Sequence, residues 1–257
     1  ASMLDRGLAS VLLDHVPFYP ILLFDAGTYL FSFIVQSTLP YKATHLNPTV
    51  VAHNAWRSLA EGLRWLRARP QFTVFILCAM TPFIAVMTGH YLFPIYVQKV
   101  LHAPASVFGQ GEMAFAFGAL LAGIVGPRLL TRLAAPNVAL GMIALFIVGL
   151  VLLGGFHNVY LFYLALLLLG LGNSGSRVAR GSVLLHEVPN AIKGRVNVAF
   201  ATADRVVRTI LQFAAIYVVV RADASLAFVG LILFVGLALA LAWQSRKGLD
   251  HQETSNP

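Results

Sequence analysis

Long apolar runs separated by short polar gaps dominate the chain. Seven of them are long enough to cross a bilayer: Phe18–Leu39, Phe72–Val97, Val107–Gly126, Val138–Phe156, Val159–Ser182, Val196–Val220 and Leu226–Trp243. A helix needs about 20 mostly apolar residues to cover the ~30 Å hydrocarbon core, whereas a barrel strand needs about 10 with polar and apolar positions alternating. Runs such as VALGMIALFIVGLVLLGGF and LFYLALLLLGLG show no alternation. The pattern predicts an all-α membrane protein, because lipid offers no partner to unsatisfied backbone groups. Residues 1–14 are partly apolar but would reach only ~21 Å as a helix. They are expected to be the back of a helix whose front is missing, giving seven transmembrane helices plus a partial N-terminal one.

The longest gap, residues 40–71, carries a different period. In AWRSLAEGLRWLRARP, Trp56, Leu59, Leu63 and Leu66 recur at helical spacing on one face, with Arg57, Glu61 and Arg64 on another. That spacing predicts an amphipathic helix on the membrane surface, apolar face in the acyl boundary and arginines toward anionic lipid headgroups. The tail from Arg246 is polar and is expected to fray.

Composition sharpens the picture. The chain is 58% hydrophobic and 11% charged, with a net charge of +8. On a soluble domain such a charge would suggest nucleic acid. Here the basic residues sort by side instead. Alternating the seven helices puts eleven on one face, among them Arg64, Arg67, Arg69, Arg128, Lys193 and Arg195, and only Lys99 and Arg221 on the other. By the positive-inside rule, the 40–71 segment and the C-terminus are cytoplasmic. Trp56, Trp65 and Trp243 are expected at the inner boundary and Tyr96, Tyr160 and Tyr217 near the outer one, as interfacial anchors. No nucleic-acid partner, cofactor or metal is expected. Cys78 is the single cysteine and cannot form a disulfide within the chain.

Several stretches together carry a family resemblance. FPIYVQKVLHAPASVFGQGEMAFAFGALLAG (93–123) resembles helices seven and eight of the major facilitator superfamily, in the branch of enterobactin-exporter-like and macrolide or multidrug efflux proteins. LLHEVPNAIKGRVNVAF (184–200) is similar to that branch's link between helices ten and eleven, FDAGTYLFSF (24–33) to its helix six, and AEGLRWLRARP (60–70) to its central cytoplasmic helix. The ordered set covers nearly the whole chain. It implies that residues 1–39 hold the end of helix five and helix six. Residues 40–71 would then be the cytoplasmic linker, 72–245 the six-helix C-terminal domain, and 246–257 a cytoplasmic tail. Two departures stand out. Gly126-Pro127-Arg128-Leu129-Leu130-Thr131-Arg132 keeps the Gly and Arg of the family's loop motif but lacks its Asp, and residues 1–14 lack the helix-five antiporter signature.

The resemblance implies a transporter rather than an enzyme: a multi-pass protein of a bacterial inner membrane exporting a small amphipathic molecule by proton antiport. Its N-terminal half would be a missing partner. The chain is accordingly expected to be a fragment, a degraded reading frame or a paired half, without alternating access on its own. A helical membrane module that binds lipid or a partner protein without transporting anything is the rival expectation.

Ionisable residues at membrane depth are the candidate chemistry, since each carries at least ~2.5 kcal/mol of insertion penalty and usually faces a cavity or partner. Asp204, Arg205 and Arg208 lie ~12–18 Å into their span at 1.5 Å per residue. Asp204 and Arg208 are i,i+4 neighbours with the acid first, the favourable order. Glu112 falls near the outer end of its span, Arg177 and Arg180 near the inner end of theirs, and Asp25 inside the first. One expectation has Glu112 and Asp204 exchanging protons while Arg205 or Arg208 binds an anionic substrate group. The alternatives are an Asp204–Arg208 brace, a Glu112 paired with an unseen partner, arginines 177 and 180 reaching lipid phosphates, and Asp25 capping or hydrogen-bonding to a neighbouring helix. His90 sits four residues before Pro94 in a span that also holds Pro82. It is either a titrating group beside a bent helix or a core histidine bonded to a neighbour. No internal repeat is legible.

Overall fold

The computed structural model describes residues 18–38, 55–221 and 224–253, and these are almost wholly helical. They are α1 (Phe18–Thr38), α2 (Ala55–Arg67), α3 (Pro70–Ala79), α4 (Thr81–Lys99), α5 (Ala105–Leu130), α6 (Ala135–Gly155), α7 (Val159–Glu187), α8 (Lys193–Arg221) and α9 (Ala224–Glu253). Among the described residues there is no strand. Five segments are long and apolar enough to cross a bilayer: Pro70–Lys99, Ala105–Leu130, Ala135–Gly155, Val159–Glu187 and Leu226–Arg246. The 29-residue α8 is not among them, because Asp204, Arg205 and Arg208 fall in its middle. The partial helix expected over residues 1–14 lies outside the described residues. The polar tail does not begin as a break in the helix: α9 continues past Arg246 to Glu253.

One expected span is two helices. The run Phe72–Val97 breaks at Met80, between α3 and α4. Pro82 has no N–H for the carbonyl four residues back, that of Cys78. The Thr81 hydroxyl donates to that carbonyl instead, at 2.7 Å. Pro94 removes the corresponding donor from the His90 carbonyl, yet α4 runs through it to Lys99. Asn158 caps α7, its side-chain oxygen accepting from the Tyr160 and Leu161 amides at 2.8 and 3.4 Å.

Packing builds a core with two centres. At the end holding α2 and most of the basic residues, Phe72, Phe75, Ile76, Leu140 and Phe200 are buried together. At the opposite end, Phe93, Tyr96, Phe146, Phe162 and Phe228 form the second centre. Helix α7 lies between α5 and α6, and α9 closes on α3 and α6. The α5–α7 crossing is close because it is built on glycine. A Cβ on Gly170 would overlap the Phe115 carbonyl, and one on Gly118 would overlap the Leu167 carbonyl. Without water between apolar helices, such small-residue contacts are what draws them together.

Two expectations about the boundary are corrected. Tyr96 is no surface anchor: it is 0% exposed, packs against Phe162 and Phe228, and its hydroxyl donates to the Phe156 carbonyl at 3.0 Å. Tyr160 and Tyr217 are exposed as anticipated. On α2, the apolar face is divided. Leu66 is buried while Leu63 remains 47% exposed, because the helix docks on α8 through Gly62, whose missing Cβ admits the Arg195 backbone. Glu61, placed by its spacing on the solvated face, pairs there with Arg195.

Candidate functional site

Helix α4 organises the polar interior. Phe83, Met87 and His90 are spaced i, i+4, i+7 and so share one face. Along that face lie polar groups from two other helices. The Arg208 guanidinium of α8 sits over the Phe83 ring at 5.7 Å. One turn further along α8, Gln212 Nε2 donates to the Met87 carbonyl over a long 3.5 Å. Beyond, His90 Nδ1 meets Glu112 Oε1 of α5 at 3.2 Å.

The His90–Glu112 pair is positioned by the α4–α5 turn. That turn is tight: Ala103 donates its amide back to the Val97 carbonyl at 3.1 Å, and His102 adopts a left-handed φ of 49°. Histidine is among the residues that tolerate that region best. Glu112 is only 3% exposed, and His90 is half-buried between the rings of Phe93 and Phe115, each centroid 6.1 Å away. Gly111, just before the acid, lets Phe162 and Leu166 of α7 close over the site, since a Cβ there would meet them at 2.5–2.6 Å. The arrangement is a carboxyl and an imidazole in contact inside an aromatic shell. Such a pair can hold a proton on either partner, and can gain or lose one, according to what reaches it.

Asp204 behaves differently. It is 7% exposed, and its Oδ2 faces Arg208 Nη2 at 3.5 Å. Its Oδ1 has no hydrogen-bond partner among the described residues. Half-buried Arg180 of α7 lies within electrostatic range of it. Two guanidinium groups thus lie around one carboxylate, the nearer of them on the same helix. Asp204 also lines an apolar cavity of about 190 Å³, bounded by Thr81 and Ile84 of α4, Val207 of α8 and Phe234 of α9.

The remaining candidates lie apart. Arg205 and Arg177 are exposed, and Arg177 lies within electrostatic range of Arg180. Asp25 is exposed on α1, whose described side chains are all exposed; its carbonyl accepts from Thr28 Oγ1. Gln212 was missed by sequence reasoning, although 204, 208 and 212 form one i, i+4, i+8 stripe that would have revealed it. Asn173 was missed as well; it is buried on α7, with its Oδ1 lacking a hydrogen-bond partner among the described residues. Among the described residues no group of His, Cys, Asp and Glu could hold a metal ion.

Long apolar helices, close glycine crossings and a few ionisable groups held in the interior define a multi-pass helical membrane protein. The sequence model of the Major Facilitator Superfamily matches residues 1–212, most of the chain. The chain belongs to that superfamily, whose members move small molecules across membranes. Neither the curated proteins nor the solved structures gave a match.

Proposed function

We propose that this chain serves a proton-coupled exporter of a small amphipathic organic molecule, with His90 and Glu112 as the proton-carrying pair and Asp204–Arg208 as a fixed brace. The observation that carries this reading is the 3.2 Å contact between His90 on α4 and the 3%-exposed Glu112 on α5. A pair that joins two helices couples proton uptake to their separation. Changing the charge of either partner changes the attraction between the helices, which is what a transport cycle needs in order to link proton and substrate. The Asp204–Arg208 pair lacks that freedom, because both partners sit on one helix.

In this reading α1 and α8 also cross the membrane, bringing the crossings to seven. The basic end faces the cytoplasm of a bacterial cell, as eleven basic loop residues against two support. The efflux direction and the placement beside enterobactin-exporter-like and macrolide or multidrug efflux proteins rest on the ordered resemblance of residues 24–33, 60–70, 93–123 and 184–200. Residues 1–39 belong with the N-terminal half of such a transporter, residues 40–71 with α2 are the cytoplasmic linker, and residues 72–245 form the other half.

The test uses everted membrane vesicles containing the protein as its own gene produces it, with a panel of fluorescent amphipathic substrates. Glu112→Gln and His90→Asn should abolish uptake driven by a pH gradient while leaving substrate exchange at zero gradient. Full gradient-driven uptake in both variants removes the proton role from the pair.

A further inference from the structure

A second cavity, of about 390 Å³, opens beside exposed Leu63, where α2, α3 and α8 meet. Its walls are Leu66 of α2, Val74 and Leu77 of α3, and Ala199, Phe200 and Ala203 of α8. The one hydroxyl in the wall is committed: Thr73 Oγ1 donates to the Leu66 and Arg69 carbonyls at 2.8 and 3.0 Å. Ordered water needs two to four polar partners and finds few here. Whatever fills the cavity presents hydrocarbon to it. Leu77 and Ala203 also line the 190 Å³ cavity beside Asp204, so the two cavities are neighbours. Two apolar spaces in series with a shared wall fit a long, thin occupant better than a compact one.

The rim supplies the second half of the recognition. Arg67 lines the opening and is exposed. Among the described residues no acidic side chain pairs with it. Glu61 is taken by Arg195, and Arg69 is folded over the Trp65 ring at 4.4 Å. Arg64 adds a further exposed cation on the same helix. No acidic residue lines this opening among the described residues.

We propose that this cavity binds an anionic phospholipid, one acyl chain running between α3 and α8 toward Ala203 and the phosphate held by Arg67. The occupant would fasten α2 to the transmembrane bundle at the point where Leu63 otherwise stays uncovered. The inference is independent of transport: the site asks only for membrane lipid, so it stands or falls apart from the proton reading above.

The test is lipid retention by the detergent-purified chain, measured by native mass spectrometry with phosphatidylglycerol and phosphatidylcholine of identical acyl chains. Phosphatidylglycerol should be retained preferentially. Arg67→Gln should lower its retention about fivefold, the effect of one basic residue on an anionic lipid. Arg132→Gln, at the same end of the bundle but off this cavity, should change little. A phosphatidylglycerol carrying a photoreactive group on its acyl chain should label α3 or α8 near Leu77 and Ala203, and Ala199→Leu should suppress that labelling. Equal losses for Arg67→Gln and Arg132→Gln would mean diffuse surface charge and overturn the site. Labelling scattered over the exposed faces of α5 and α9 would overturn it as well, even if Ala199→Leu fails to fold.

Discussion

Gly170 of α7 lies so close to the Phe115 carbonyl of α5 that a side chain cannot be added without moving one helix. The contact is backbone against backbone, so no flexible group can swing aside. Gly170→Ala should therefore destabilise the protein by roughly 1–3 kcal/mol, the usual result of overpacking. Gly123→Ala, a glycine of α5 with open space around its missing Cβ, is the matched control and should not. Thermal unfolding in detergent compares the two. Equal melting temperatures would mean that the α5–α7 crossing is looser than it looks.

The Asp204–Arg208 pair predicts a non-additive double mutant. Arg208→Met alone leaves a buried carboxylate with its nearest partner removed and should cost about 3 kcal/mol, the low end of the range for breaking a buried pair. The low end applies because Arg180 still acts on Asp204. Adding Asp204→Leu should recover most of that loss. Chemical unfolding of the two single variants and the double variant measures the coupling. Additive effects would mean that the two side chains ignore one another and that Asp204 is free for other work.

The pairing of Glu61 with Arg195 holds α2 against the start of α8. Both groups are partly exposed, so the pair contributes little, about 0.2–1 kcal/mol. Its effect should appear as local opening rather than global unfolding. Arg195→Glu should speed hydrogen exchange within Gly62–Arg67 several-fold, and the swap Glu61→Arg with Arg195→Glu should slow it again. Exchange that does not respond to the swap would show that Gly62 packing alone docks the helix.

The candidate site is partly legible in the sequence. His90 and Glu112 each stand out as polar groups in apolar helices, but separately. Their meeting could have been read from the turn: both stand eleven residues from Leu101, and antiparallel helices bring such positions to equal depth. What spacing alone could not decide was which side of each helix faces the other. That depends on side-chain volumes such as those of Phe162 and Leu166 over Gly111. The same limit explains Leu63 and Tyr96. A helical wheel ranks Leu63 with Leu66, yet only a partner surface decides which of them is covered. Tyr96 belongs to a residue type that favours interfaces, but the Phe156 carbonyl at the end of α6 needed a donor, and that lies sixty residues away. The break at Met80 is a milder case, since Pro82 announced a bend without saying whether the helix would be interrupted.

That break has a mechanical consequence. A lipid-embedded joint normally leaves a carbonyl oxygen stranded in oil, so straightening and bending differ sharply in energy. At Met80 the Thr81 hydroxyl travels with the joint and keeps the Cys78 oxygen satisfied. The segment anchored near Phe72 and the segment bearing His90 thus meet at a joint whose acceptor is paired.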